Sequence, residues 1–127
     1  MKAEPNASLE SLNTLGVAAH TALLLTIETE EDVLSAPGFN PASDVILGGG
    51  SNVVFATDVP GTVFLNQIRG IDIVERDNDH LWIEVGAGES WHELVLWSLE
   101  QGLSGLENLS LIPGLAGAAP VQNIGAY

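Results

Sequence analysis

The sequence has no cysteine, which excludes disulfides, thiolate nucleophiles and thiolate metal sites within it. It is almost as poor in bases: Lys2, Arg69 and Arg76 stand against 17 acids, a formal charge of −14. Binding a nucleic-acid backbone depends on clustered Lys and Arg, so no nucleic-acid partner is expected. The acids are spread along the chain, with one short cluster from Glu28 to Asp32, and read as a solvated surface. Long apolar runs are missing too. None reaches the roughly 18 residues of a membrane-spanning helix, and the longest, Val17 to Ile27, is interrupted by His20 and two threonines. No membrane partner is expected. The amino terminus, MKAEPNASLESLN, has no apolar signal core, and the expectation is a cytoplasmic protein. His20, His80 and His92 sit at no zinc-ligand spacing with one another, so no metal is expected.

What is present is a chain of 127 residues, 46% hydrophobic, long enough for one modest core or two small lobes. Residues 1–14 are polar and aperiodic, and are expected to run over the surface before Leu15-Gly16-Val17 opens the domain. The apolar run 22–27 predicts a buried strand. Thr29 then offers a helix N-cap, with Glu30, Glu31 and Asp32 in the first turn, and Pro37-Gly38 stops that helix early. A second strand, 45–47, completes a strand–helix–strand crossover whose strands should run parallel. Shorter strands follow at 62–66, 71–76 and 80–88, the last two joined by a turn at Asp77-Asn78-Asp79. In the stretch ESWHELVLWSLEQG, Ser90 and Glu93 predict a capping box, Trp91, Val95 and Ser98 or Leu99 a buried face, and Gly102 the helix end.

Two glycine-rich loops stand out. The first, ILGGGSNVVF, places Gly48, Gly49 and Gly50 at the exit of a predicted strand and follows them with Ser51 and Asn52. Backbone N–H groups exposed by glycine can form an anion nest for phosphate oxygens, with Ser51 and Asn52 adding side-chain donors; the same residues can also make a tight turn or bulge. It is no P-loop, since no lysine follows Lys2, and no Rossmann fingerprint, since Val53 stands where the last glycine belongs. The second loop, IPGLAGAAP at 112–120, has few side chains larger than methyl. A flat ring or pyrophosphate could lie against it, or it could be a close crossing of backbone elements. Gln122 and Asn123 beyond it carry amides able to pair with a heterocycle. Trp82, Trp91 and Trp97 read as packing residues, and Arg69 as the partner of a nearby acid.

Taken in order, Asn13-Thr14-Leu15-Gly16, ILGGGSN, NQIRGI, GAGESWHELV, GLSGLENLSLIPG and GAAPVQNIGAY resemble the amino-terminal part of the UDP-N-acetylenolpyruvoylglucosamine reductase (MurB) family. The resemblance implies an α+β protein with an FAD-binding fold of the vanillyl-alcohol-oxidase (PCMH) type. Residues 15–68 would form a small α/β lobe with the glycine loop and residues 69–127 the start of a larger α+β lobe; residues 1–14 precede them, and the substrate-binding domain is absent. It assigns Gly48, Gly49, Gly50, Ser51 and Asn52 to the FAD pyrophosphate. Pro113, Gly114, Gly117, Ala118 and Ala119 would line the rest of the cofactor, with Gln122, Asn123 and Gly125 near the flavin and Tyr127 on the substrate side. The implied reaction is the reduction, by NADPH through FAD, of UDP-N-acetylglucosamine enolpyruvate to UDP-N-acetylmuramate in peptidoglycan precursor synthesis, by a protein that is monomeric when complete. The family's proton-donor serine and its arginine and glutamate lie in motifs this sequence does not contain, so no catalytic residue is assigned. Because the sequence stops inside NIGAY, where the family continues with glycine, it reads as a truncated product, inactive alone. The alternatives are a non-catalytic FAD or nucleotide-binding module and another flavin oxidoreductase of the same fold.

Overall fold

The first element is one the sequence does not announce. In the computed structural model, which describes residues 1–125, β1 (Lys2–Ser8) pairs antiparallel with β2 (His20–Ile27), from Lys2 opposite Thr26 to Ser8 opposite His20. The stretch expected to be aperiodic surface is thus an edge strand. Its residues are mostly exposed and include Pro5, which an edge tolerates because one side of the strand needs no ladder donor; neither feature leaves an alternating apolar signal. Asn6, at φ 49°, breaks the regular strand conformation.

The chain divides into two compact units at Gln67/Ile68. In the first, Thr29 caps α1 (Glu30–Ser35) as expected: its hydroxyl accepts the Asp32 N–H at 3.1 Å, and the Asp32 carboxylate accepts the Thr29 N–H at 3.2 Å. β3 (Val45–Leu47) runs in the same direction as β2, but the two are not neighbours. β4 (Val59–Asn66), longer than the expected 62–66, lies between them and is parallel to both, giving the order β1-β2-β4-β3. The interior place goes to the strand whose consecutive Val63, Phe64 and Leu65 are all buried, as a strand covered on both faces requires. Leu9, Ala19, Leu24, Leu47, Val59, Val63 and Leu65 form the core of this unit. Asp44 ties the start of β3 to β4: one carboxylate oxygen accepts the Thr62 N–H at 2.9 Å and the Ser43 hydroxyl at 3.0 Å, the other the Asn40 N–H at 2.8 Å. The Thr62 and then the Asn40 amide hold this carboxyl below the usual range.

In the second unit, β5 (Ile71–Arg76) and β6 (Leu81–Val85) form the expected antiparallel hairpin. Its turn is fixed by Asp77, whose carboxylate accepts the N–H groups of Asp79 at 2.8 Å and His80 at 2.6 Å. α2 (Trp91–Glu100) buries Trp91, Leu94, Val95 and Ser98. Of the two alternatives for its inner face, Ser98 is buried and Leu99 exposed. The Ser90 hydroxyl accepts the Glu93 N–H, but among the described residues the reciprocal bond to the Glu93 side chain is not made, so only half of the expected capping box forms. At the other end Gly102, at φ +72°, donates to the Leu99 carbonyl and Leu103 to that of Ser98, a complete Schellman closure. Short 3-10 turns at Glu107–Leu109 and Ala116–Ala118 carry the remaining chain across α2, and Ala119 joins Trp91, Leu94 and Val95 in the core. No helix of the described residues is long and apolar enough to cross a membrane.

Candidate functional site

In the first unit, Gly48 to Asn52 form one turn leaving the carboxyl end of β3, the end of a parallel strand at which open α/β sheets place ligands. The glycines are not equivalent. Gly50 is buried at φ +68°, and a Cβ there would stand 2.8 Å from the Asn13 Cα and closer still to the Leu12 carbonyl oxygen. Its own carbonyl accepts the Thr14 N–H at 3.1 Å. Packing against the 12–14 backbone therefore explains this glycine, whereas Gly49, Ser51 and Asn52 are exposed. Among the described residues the N–H groups of Gly49, Gly50, Ser51 and Asn52 meet no acceptor. A row of unpaired donors on an exposed turn is the donor set that phosphate oxygens fit.

The surface under Gly50 is set by a residue whose role the sequence does not reveal. Asn13 is 7% exposed, and its amide nitrogen donates to the carbonyls of Leu9 at 2.8 Å and Val17 at 3.0 Å while its oxygen accepts the Val17 N–H at 2.9 Å. Its amide is thereby spent on shaping the 9–17 loop.

In the second unit, Pro113 to Ala119 run along the residues that lead into α2. The Gly114 carbonyl accepts the Trp91 N–H at 3.0 Å, and the N–H groups of Ala116 and Gly117 donate to the carbonyls of Glu89 at 2.8 Å and Ala87 at 3.0 Å. A Cβ at Gly117 would stand 2.7 Å from that of Ala87, so this glycine answers to a close backbone crossing. Ala118 lies within the short turn and Ala119 in the core. The leader is fixed from its other side as well: Gly86 and Gly88 donate to the carbonyls of Gly70 and Ile68, and the Glu89 carboxylate accepts the Gly70 N–H at 2.8 Å and an Arg69 N–H at 3.3 Å. Trp91 reaches across with its indole N–H to the Leu109 carbonyl at 2.9 Å, a packing role, while Trp97 is partly buried against the same core and Trp82 is exposed. Gln122 and Asn123 follow Ala119, their side-chain amides unpaired with other described residues, and Asn123 stands at φ 51°. Gly125 is half-buried, and Tyr127 lies outside the described residues.

Charge separates both loops from the rest of the chain. No Asp, Glu, Lys, Arg or His occurs between Asp44 and Asp58 or after Glu107, so none of the 17 acids belongs to either loop. Glu107, nearest in sequence to the second, is held below the usual carboxylate range by its own N–H and that of Gly105. This charge-free spacing was readable in the sequence and marks both loops without reference to their glycines. Among the described residues no cluster of His, Asp and Glu could hold a metal.

Comparison with known proteins gives four concordant matches. A family described as FAD binding domain matches residues 21–127. The UDP-N-acetylenolpyruvoylglucosamine reductase of Amoebophilus asiaticus is 44% identical over 130 residues, covering 100% of this chain and 38% of that protein. Its namesake from an Azoarcus species is 50% identical over 129 residues, covering 96% of the chain and 37% of the protein. The crystal structure of UDP-N-acetylenolpyruvylglucosamine reductase (MurB) from Thermus caldophilus superposes with a TM-score of 0.65 at 34% identity, over 94% of this chain and 41% of that one. The chain thus spans less than two fifths of the curated relatives it matches.

Proposed function

We infer that this chain, which belongs to the FAD binding domain family, is the cofactor-holding part of a UDP-N-acetylenolpyruvoylglucosamine reductase. The observation that carries this reading is the turn Gly49–Asn52, exposed at Gly49, Ser51 and Asn52, whose N–H groups have no acceptor among the described residues, set at the end of a parallel strand in a stretch free of acids. Gly48, Gly49, Gly50, Ser51 and Asn52 would hold the FAD pyrophosphate. Oriented N–H dipoles act over a few ångströms, and surface charge beyond about 8–10 Å is screened, so the acidic surface does not prevent it. Pro113, Gly114, Gly117, Ala118 and Ala119 present a low surface for the remainder of the cofactor, with Gln122, Asn123 and Gly125 beside the flavin and Tyr127 toward the substrate.

Bound FAD supplies the hydride chemistry that would carry electrons from NADPH to the enolpyruvyl ether of UDP-N-acetylglucosamine, giving UDP-N-acetylmuramate. What the chain's own residues do is bind and orient. The first loop fixes the diphosphate by backbone donors, which need no titration, and the second admits a flat group because methyl side chains leave its backbone accessible. No proton donor is assigned here, since no serine in the sequence stands in the matching motif. A cytoplasmic, monomeric protein completes the proposal.

The test is to express the longest reading frame containing this sequence and record its visible absorption. A flavin spectrum that NADPH bleaches and the enolpyruvyl sugar nucleotide restores is the expected result. A colourless product whose melting temperature is unmoved by added FAD overturns the reading.

A further inference from the structure

The path of the second loop depends on a contact made before the loop begins. Leu111 stands at φ +62°, a left-handed conformation that an L side chain adopts only when its surroundings hold it there, and its side chain is 78% exposed, so burial does not hold it. The next residues are Ile112 and Pro113, and the ring of Pro113 restricts Ile112 to extended conformations. The turn at Leu111 therefore sets the direction in which the chain enters Pro113–Ala119. The Leu111 N–H donates to Nδ1 of His92 at 3.1 Å.

The other ties between the α2 leader and residues 109–117 are backbone bonds from Ala87, Glu89 and Trp91 and the indole bond of Trp91, which is also a core residue. Among the described residues, His92, half-buried on the first turn of α2 and no part of the core, makes the one tie by a side chain that can be changed without opening the core. We propose that His92 is a positioning residue for the cofactor: its Nδ1, as acceptor for Leu111, fixes the left-handed turn that aims Pro113–Ala119. For Nδ1 to accept, the ring must be neutral with its proton on Nε2. This inference rests on reading Pro113–Ala119 as a cofactor loop.

The test separates the atom from the ring. Asparagine places its carbonyl oxygen near the position of Nδ1, whereas glutamine places its own near Nε2 and phenylalanine offers no acceptor. FAD affinity is measured by quenching of flavin fluorescence in the longest reading frame containing this sequence, for His92→Asn, His92→Gln and His92→Phe, with the melting temperature of each flavin-free protein recorded. The expected result is that His92→Asn binds within about threefold of the parent, while His92→Gln and His92→Phe weaken binding about tenfold, the scale of one hydrogen bond. Glycine accepts positive φ freely, so His92→Gln should cost less when combined with Leu111→Gly; that pair decides the matter should any single variant fold poorly.

Equal affinity for all three variants, or an equal loss in all three, overturns the role of Nδ1, as does a His92→Gln cost unchanged by Leu111→Gly. Ala118→Asp, which sets a carboxylate in the second loop, is the control for the underlying reading. If it abolishes FAD binding while the His92 variants have no effect, the loop assignment stands and the His92 proposal fails. If it leaves FAD binding intact, the assignment itself fails and takes the proposal with it.

Discussion

The N–H of Thr14 donates to the carbonyl of Gly50 at 3.1 Å, so the segment before β2 forms the floor under the glycine turn. Three adjacent glycines thereby divide between two tasks. Gly50 has no room for a side chain, because a Cβ would meet the Leu12 and Asn13 backbone, whereas Gly49 faces solvent.

Opposite consequences follow for two neighbouring substitutions. Gly50→Ala combines a disfavoured positive φ with a backbone clash and should lower stability by about 2–4 kcal/mol, read from denaturant unfolding. Gly49→Asp should melt within a few degrees of the parent yet lose FAD, because it sets a carboxylate where the diphosphate is to lie. A Gly49→Asp protein that folds and binds FAD as tightly as the parent would falsify the phosphate assignment.

Asn13 carries the same argument one residue further. Its amide both donates and accepts, so Asn13→Asp keeps the size and the Val17 acceptor but loses the donors to Leu9 and Val17 and places a charge at a buried position. Both Asn13→Asp and Asn13→Ala should destabilise by about 1–3 kcal/mol, with the carboxylate the worse of the two at neutral pH. If both unfold at the denaturant concentration of the parent, the donor bonds do not matter.

Gly117 offers a compensation test. Its missing Cβ would lie 2.7 Å from the Cβ of Ala87 and 2.9 Å from the Ala87 carbonyl oxygen. Gly117→Ala should cost about 1–3 kcal/mol by overpacking. Adding Ala87→Gly removes the first of these contacts but not the second, so it should restore part of the loss. No restoration would mean that the carbonyl contact alone sets the limit.

Elements whose signals are local were legible in the sequence: the Thr29 cap, the Asp77 turn, the bounds of β3 and β5, and the closure of α2 at Gly102. β1 was not, because an exposed edge strand containing Pro5 shows no apolar alternation and exists only through its ladder to β2. The insertion of β4 between β2 and β3 escaped for a related reason, since pairing order is a property of the whole sheet. At the candidate site, sequence located both loops but could not sort their glycines. What distinguishes Gly50 and Gly117 from Gly49 is the backbone lying beneath them, contributed by residues 30 or more positions away. His92 was invisible as a determinant because it acts on a backbone group 19 residues away that the fold brings to it; Asn13 was invisible because its bonds to Leu9 and Val17, though local, belong to an irregular loop with no sequence pattern.

Asp44 gives a prediction in which the sign of the pH dependence can be worked out. Its carboxyl is held low by the Thr62 and Asn40 amides, so its contribution to stability is fully present above the unfolded value of about 3.9 and is lost as pH falls through the lower folded value. Absolute stability is a poor readout, because acidification also relieves repulsion among the 17 acids of a chain with formal charge −14. The difference between the parent and Asp44→Asn removes that background. Asparagine would turn an amide N–H₂ toward a backbone donor, Thr62 or Asn40, and lacks the charge at every pH. The gap in melting temperature should be constant from neutral pH down to about 4.5 and narrow below about 3.9, as the parent loses what the variant never had. A gap that persists undiminished to pH 2 would mean that the shape of the side chain, rather than its charge, ties β3 to β4.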